Sequence, residues 1–198
     1  MTRPARPPRQ HRQERRSNGM CHTESAFDRR EVDRKSYMKD LRKPNPEFLR
    51  RAIELATQNV VSGAGGPFAA LIVRDGQIVG EGVNTVTATH DPTAHGEVNA
   101  IRAASRALGT FTLAGCELYT SCEPCPMCLA AAYWARVDAI YYGASAADAA
   151  KAGFDDAFLY EEMRKNNAER KMPGVQLLGD EAWASFAVWL ASASKIKY

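Results

Sequence analysis

The sequence predicts an α/β protein, a three-layer α/β/α sandwich whose mixed five-stranded sheet has helices on both faces. Three observations predict it. Segments with apolar residues at helical spacing alternate with short β-rich runs. Their order along the chain, α-β-β-α-β-α-β-α-β-α, is that of helices layered on a sheet. At 198 residues and 45% hydrophobic, the chain can bury one core of that kind.

The elements follow in order. Order is expected from about Asn45, with Pro46 at a first helical position. "PEFLRRAIELATQNVVS" puts Phe48, Ala52, Ile53, Leu55, Ala56 and Val60 near one helical face, and "GAGG" ends that helix. "PFAALIVRDGQIVGEGVN" reads as a hairpin with Asp75-Gly76 as its two-residue turn. A helix is expected over residues 95–108, a strand at "CELYTS", a helix over 125–135 and a strand at "DAIYYGA". Two short helical pieces follow, at 146–151 and 156–165. "GVQLLG" reads as a fifth strand, and "DEAWASFAVWLASASK" as a terminal helix with Trp183, Phe186 and Leu190 on its inner face.

Charge divides the chain. Residues 1–43 hold 13 Lys/Arg against 6 Asp/Glu, a net +7, which leaves −4 on residues 44–198 out of a total of +3. "MTRPARPPRQHRQERRSNG" has too few large apolar residues to offset its ordering entropy. Residues 1–43 are therefore expected to be a basic, disordered N-terminal extension and residues 44–198 the folded domain. The extension reads as an idle tail, or as a start upstream of Met20 or Met38, before it reads as a nucleic-acid arm. No secretory or transit signal is visible in it. The longest apolar runs are short, "FAALIV" among them, far below the ~18 residues of a membrane span. The expectation is a soluble, cytoplasmic protein with no membrane contact.

Five cysteines, three of them within "CEPCPMC", fit metal or redox chemistry better than a disulfide framework. Upstream, "DPTAHGEVNAIR" supplies His95 and Glu97. The body thus offers His-x-Glu and then Pro-Cys-x-x-Cys, each at a predicted helix start. Zinc takes imidazole and thiolate, and a catalytic site keeps one position for water. Cysteines three apart lie on one side of a helical turn, where free N–H groups favour thiolates. A Glu beside the metal can take a proton from the metal's water, whose pKa falls to about 7. Residues i and i+2 diverge on a helix, so His95 and Glu97 converge only if His95 enters at the very end of the helix, or if the two reach different parts of one site, which suits a metal ligand and a proton acceptor. By spacing alone, Cys122 with Cys125 is as good a pair as Cys125 with Cys128. A thioredoxin-like redox pair, or a Cys3His structural zinc using Cys122, also fits.

Taken together, "HGE" and "PCPMC" at this separation match the zinc deaminase signature. From about Phe48 to Tyr198 the chain resembles the cytidine deaminase-like superfamily, and within it the bacterial-type guanine deaminases. "GGPFAALIV", "HDPTAHGEVNAIR" and "YTSCEPCPMCLAAAYWAR" carry the broad resemblance; "AGFDDAF" and the terminal Tyr198 carry the narrower one. The resemblance implies one Zn2+ per subunit, with a bound water, on His95, Cys125 and Cys128, and Glu97 as proton shuttle. In the family's pattern the proline precedes the ligand pair, so the resemblance, through Pro124, selects Cys125 and Cys128 and makes Cys122 a bystander. It further implies a purine pocket with Asn84, Asp156, Phe68 and Trp134, and with Tyr198 delivered by the partner chain of a domain-swapped homodimer. On pattern alone Phe68 and Trp134 read as core, Asn84 as a turn residue and Asp156 as a helix cap. One departure from the pattern is Gly96, where Ala is more usual; tolerance is expected.

The reaction so implied is hydrolytic deamination of guanine to xanthine and ammonia. The alternatives are a tRNA adenosine deaminase, a guanosine or other amino-heterocycle deaminase, and a structural zinc module without turnover. The net −4 of residues 44–198 disfavours a nucleic-acid substrate.

Overall fold

The computed structural model describes residues 43–154 and 156–198. The expectation for the basic extension lies, but for Lys43, outside the described residues. Strands β1 (Ala69–Arg74) and β2 (Gln77–Val83) form the predicted hairpin. Asp75 and Gly76 have φ of 51° and 76°, the paired positive values of the turn that Asp-Gly favours. With β3 (Cys116–Cys122) and β4 (Ala139–Ala144) the sheet order is β2-β1-β3-β4. β1 runs antiparallel to β2 and β3, while β4 is parallel to β3, so the sheet is mixed.

Helix α1 (Pro46–Val61) covers one face. It starts at Asn45, whose side chain accepts from the Glu47 N–H at 3.0 Å. A short helix α2 (Val86–Thr89), absent from the sequence reading, follows β2. Helices α3 (Gly96–Leu108) and α4 (Pro126–Ala135) cover the other face. β1 shows why both faces need cover. Leu71 and Val73 pack with Ala52 and Tyr119 under α1, while Ala70 and Ile72 pack with Ala100, Ala104, Leu118 and Ala132 under α3 and α4. A strand buried on both sides reads as a continuous apolar run. Truncating Leu71 to Ala would cost about 2–5 kcal/mol.

The inner face of α1 is turned relative to the sequence reading. Ala52, Ala56 and Asn59 are buried, whereas Ile53 and Val60 are exposed. The small alanines let the helix backbone approach the sheet, which centres the contact on their row. α3 approaches still more closely. A Cβ on Gly82 would lie 2.3 Å from the Gly96 carbonyl oxygen and the Ala100 nitrogen.

The fifth strand is a correction. Among the described residues the sheet has four strands, and residues 174–178 pair with none. Val175 and Leu177 are 79% and 77% exposed, and Leu178 turns to φ 53°, which ends extended backbone. Helices α5 (Ala146–Lys151) and α6 (Ala157–Arg164) and a 3-10 turn (Asn167–Glu169) precede this segment, and α7 (Gly179–Ala191) follows it. The predicted inner face of α7 is also corrected: Trp183, Phe186 and Leu190 are 60%, 57% and 58% exposed. α7 is apolar over much of its surface and buries none of its residues in this chain. Among the described residues no helix is long and apolar enough to cross a membrane.

The register gathers one edge of the sheet. Ala69 pairs with Val83, and Ala70 with Thr120. Phe68 before β1, Asn84 after β2 and Cys122 at the end of β3 therefore lie together. α3 and α4 begin at that same edge.

Candidate active site

Both helices begin with a candidate ligand. His95 is the N-cap of α3 (φ −72°, ψ 156°) and Cys125 the N-cap of α4 (φ −66°, ψ 167°). The extended backbone of His95 answers the divergence problem: it stands outside the helix, and Glu97 is in the first turn. Nδ1 of His95 lies 3.6 Å from Cys125 Sγ and 3.5 Å from Cys128 Sγ. The three ligand atoms fall within 4.8 Å of one another. Zinc bonds of about 2.3 Å to sulfur and about 2.0–2.1 Å to nitrogen, opened to the tetrahedral angle, put S and N about 3.5 Å apart. The donor set and its spacing therefore fit zinc. Cys122 is outside this group. Its Sγ lies 3.8 Å from the Ser145 carbonyl oxygen.

The electrostatics suit the same ion. In the metal-free chain the Cys128 thiol supports the Cys125 thiolate, and His95 adds to it, lowering Cys125 to about 4. Cys128 keeps its proton for the same reason, and its pKa is raised. The bond to Cys125 raises His95. Cys122, by contrast, is pushed up to about 11 by burial. Glu97 is 6% exposed, and desolvation raises its carboxyl above the ordinary range. The Thr120 hydroxyl donates to Glu97 Oε1 at 3.4 Å.

These groups open on a cavity of about 340 Å³. Its wall includes Phe68, Asn84, His95, Glu97, Cys125 and Asp156. Phe154 also lines it and meets Phe68 edge to face, centroids 4.8 Å apart. Trp134 and Tyr198 do not line it. They are 66% and 70% exposed, with centroids 6.2 Å apart, and Phe111 stands 6.5 Å from the Tyr198 ring. Trp134 sits at the far end of α4 from Cys125, about 13 Å along the axis, which keeps it from this cavity.

Residues 42–144 match the cytidine and deoxycytidylate deaminase zinc-binding region. The chain belongs to that family. Other similarities lie within it. Guanine deaminase of Bacillus subtilis is 53% identical over 151 residues, 76% of this chain and 97% of that protein. Its X-ray structure superposes with a TM-score of 0.76 at 51% identity, covering 79% of this chain and 99% of that one. A guanine deaminase structure from Nitrosomonas europaea gives a TM-score of 0.54 at 33% identity over 58% of this chain and 66% of that one. The tRNA-specific adenosine deaminase of Aquifex aeolicus is 40% identical, but over 49% of this chain and 64% of that protein.

The sequence reading missed several members of this deaminase site. Gly66, Val86, Thr87, Cys122 and Glu123 line the cavity, and so does Phe154. Phe154 lay within the quoted "AGFDDAF", but nothing in its spacing marks it as a wall. Gly96 has a packing reason. A Cβ there would lie 2.9 Å from the Ala69 Cα, a backbone atom.

Proposed function

We propose that this protein hydrolyses guanine to xanthine and ammonia. A His/Cys/Cys group beside a buried carboxylate, on a cavity with room for a purine, carries the reading. Similarity to Bacillus guanine deaminase over almost the whole of that protein supports it. His95, Cys125 and Cys128 hold one zinc ion, which when bound supplies a water of near-neutral pKa.

The chain's own residues handle binding and protons. Glu97 takes the proton of the attacking water, which adds to C2 of the base. It then passes that proton to a ring nitrogen, and next moves the proton of the new C2 hydroxyl to the amino group, so that C2=O forms as the C–N bond breaks and ammonia leaves. Burial raises Glu97, which suits a group that must both accept and return a proton. Asp156 accepts from the N–H groups of guanine, and Asn84 fixes its orientation. Phe68 and Phe154 enclose the ring.

The working form is a homodimer with exchanged C-terminal segments, in the reducing setting of the cytoplasm. Three observations support the exchange. β4 is an edge strand with Tyr142 exposed. Residues 174–178 belong to no helix or strand and expose Val175, Leu177 and Leu178. An apolar groove of about 450 Å³, lined by Ile53, Thr57, Val60, Val61 and Ala144, lies between α1 and β4. The partner's segment adds the fifth strand to β4, its α7 fills the groove, and the partner's Tyr198 reaches the cavity.

The test is ammonia release from guanine, guanosine, adenine, cytosine and cytidine, with inosine formation in tRNA alongside. Turnover of guanine above the others is expected. Robust tRNA activity that needs residues 1–43 would overturn the assignment. For assembly, light scattering on the full chain should give a dimer, and Trp183→Asp should weaken it together with activity. A fully active monomer rejects the exchange.

A further inference from the structure

Asn59 lies in the last turn of α1, only 5% exposed, and forms no part of the cavity wall. Its side-chain amide donates to the Gly66 carbonyl at 2.9 Å and to the Asn84 carbonyl at 2.8 Å. Two bonds use both hydrogens of the amide. Both recipients line the cavity, and they are 18 residues apart in the chain. The junction is tightly packed at Gly65 as well. A Cβ on Gly65 would lie 2.1 Å from the Asn84 carbonyl oxygen and 2.9 Å from Asn59 Nδ2.

Asn99 of α3 acts from the opposite side. Its Nδ2 donates to the Val83 carbonyl at 2.9 Å and to Thr85 Oγ1 at 3.2 Å. The carbonyls of residues 83 and 84 are thus held by two asparagines from two helices. Between these anchors the Asn84 side chain accepts from the Val86 N–H through Oδ1 at 3.3 Å. That leaves its NH2 group to donate into the cavity, toward acceptors of a purine.

We infer that Asn59, backed by Asn99, is a positioning residue for substrate binding: its amide sets the spacing of the two cavity walls and the aim of Asn84. The inference rests on the reading of Asn84 as a contact of the base. The roles of His95, Cys125, Cys128 and Glu97 do not depend on it.

The experiment is a double-mutant cycle on the full-length zinc enzyme, with guanine as substrate. Asn59→Asp keeps the shape of the side chain and removes both donors. KM is expected to rise about tenfold while kcat changes less than about twofold and zinc content is unchanged. In an Asn84→Ala background the same change should alter KM by less than about twofold, because neighbours in one network are not additive. A merely structural role would lower kcat and zinc content and leave the two effects additive; that outcome rejects the proposal, as does an unchanged KM. If Asn84→Ala alone leaves KM unchanged, the reading of Asn84 fails, and the inference falls with it. Should Asn59→Asp not fold, Asn99→Asp at its half-buried position carries the same cycle. A KM rise of about threefold that vanishes beside Asn84→Ala is expected, and an additive or absent effect rejects the proposal.

Discussion

Tyr160 donates its phenolic hydroxyl to the Pro124 carbonyl across 3.1 Å. The bond joins two parts of the site. α6 begins one residue after Asp156, and Pro124 immediately precedes Cys125. Glu123 adds a second tie, accepting from the Ala146 N–H at 2.9 Å. Tyr160→Phe removes one hydrogen bond, worth about 0.5–1.5 kcal/mol. KM for guanine should rise about 2–10-fold with zinc content unchanged. Steady-state kinetics and atomic absorption measure both, and an unchanged KM would mean that other contacts hold Asp156.

Glu97→Gln should abolish turnover, keep zinc and raise thermal stability at neutral pH. The sign follows from burial, which raises the folded-state pKa of Glu97 above its unfolded value. A neutral Glu97 favours the fold, and this contribution is lost as pH rises through the folded pKa. Gln cannot ionise. Its stabilising effect should therefore be present at pH 7–8 and vanish as pH falls below about 4, where Glu97 is neutral as well. Melting curves across that range check it. Normal turnover by the variant would remove Glu97 from the reaction.

Zinc uptake should release protons. The zinc-free chain holds a Cys125 thiolate, a protonated Cys128 and a His95 of raised pKa. Zinc requires both thiolates and a neutral imidazole. Uptake must displace the Cys128 proton, and below the raised pKa of His95 that proton also. Affinity should fall as pH falls. Titration calorimetry in two buffers of different ionisation enthalpy counts the protons. Cys125→Ser and Cys128→Ser should lose zinc, and Cys122→Ser should retain it.

Gly96→Ala should be harmful, although Ala is the more usual residue at this place in the pattern the chain resembles. The added Cβ meets backbone of the buried Ala69 rather than a mobile side chain. The start of α3 must retreat, and His95 and Glu97 flank the altered residue. A stability loss of about 1–3 kcal/mol is expected. A fall of about tenfold in kcat/KM is also expected, as displaced catalytic groups show. Denaturant melts and kinetics test the pair; wild-type values in both would mean that the helix start yields without cost.

Some of this was legible in the chain because the signal is local. Asp75-Gly76 names its turn, Asn45 and Pro46 name a helix start, and the unbroken apolar run of β1 fits a doubly covered strand. Other features were not local. Asn59 looks like any polar residue near a helix end, and Val60 beside it looks like a better core candidate. The alanines at 52 and 56 reverse that choice by letting the backbone approach. "GVQLLG" has the composition of a strand, but a strand needs a neighbour, and among the described residues it has none.

By itself, then, the sequence determined the order of the four strands and the long helices, the ligand types and the three-residue spacing of Cys125 and Cys128, since all of these are written in local pattern. Tertiary structure alone decided that His95, 30 residues before Cys125, arrives 3.6 Å from its sulfur. The pairing of Ala70 with Thr120, the glycine contacts beneath α3 and the extended N-cap of His95 bring that about. Distances between remote segments depend on register and packing, which no local pattern encodes.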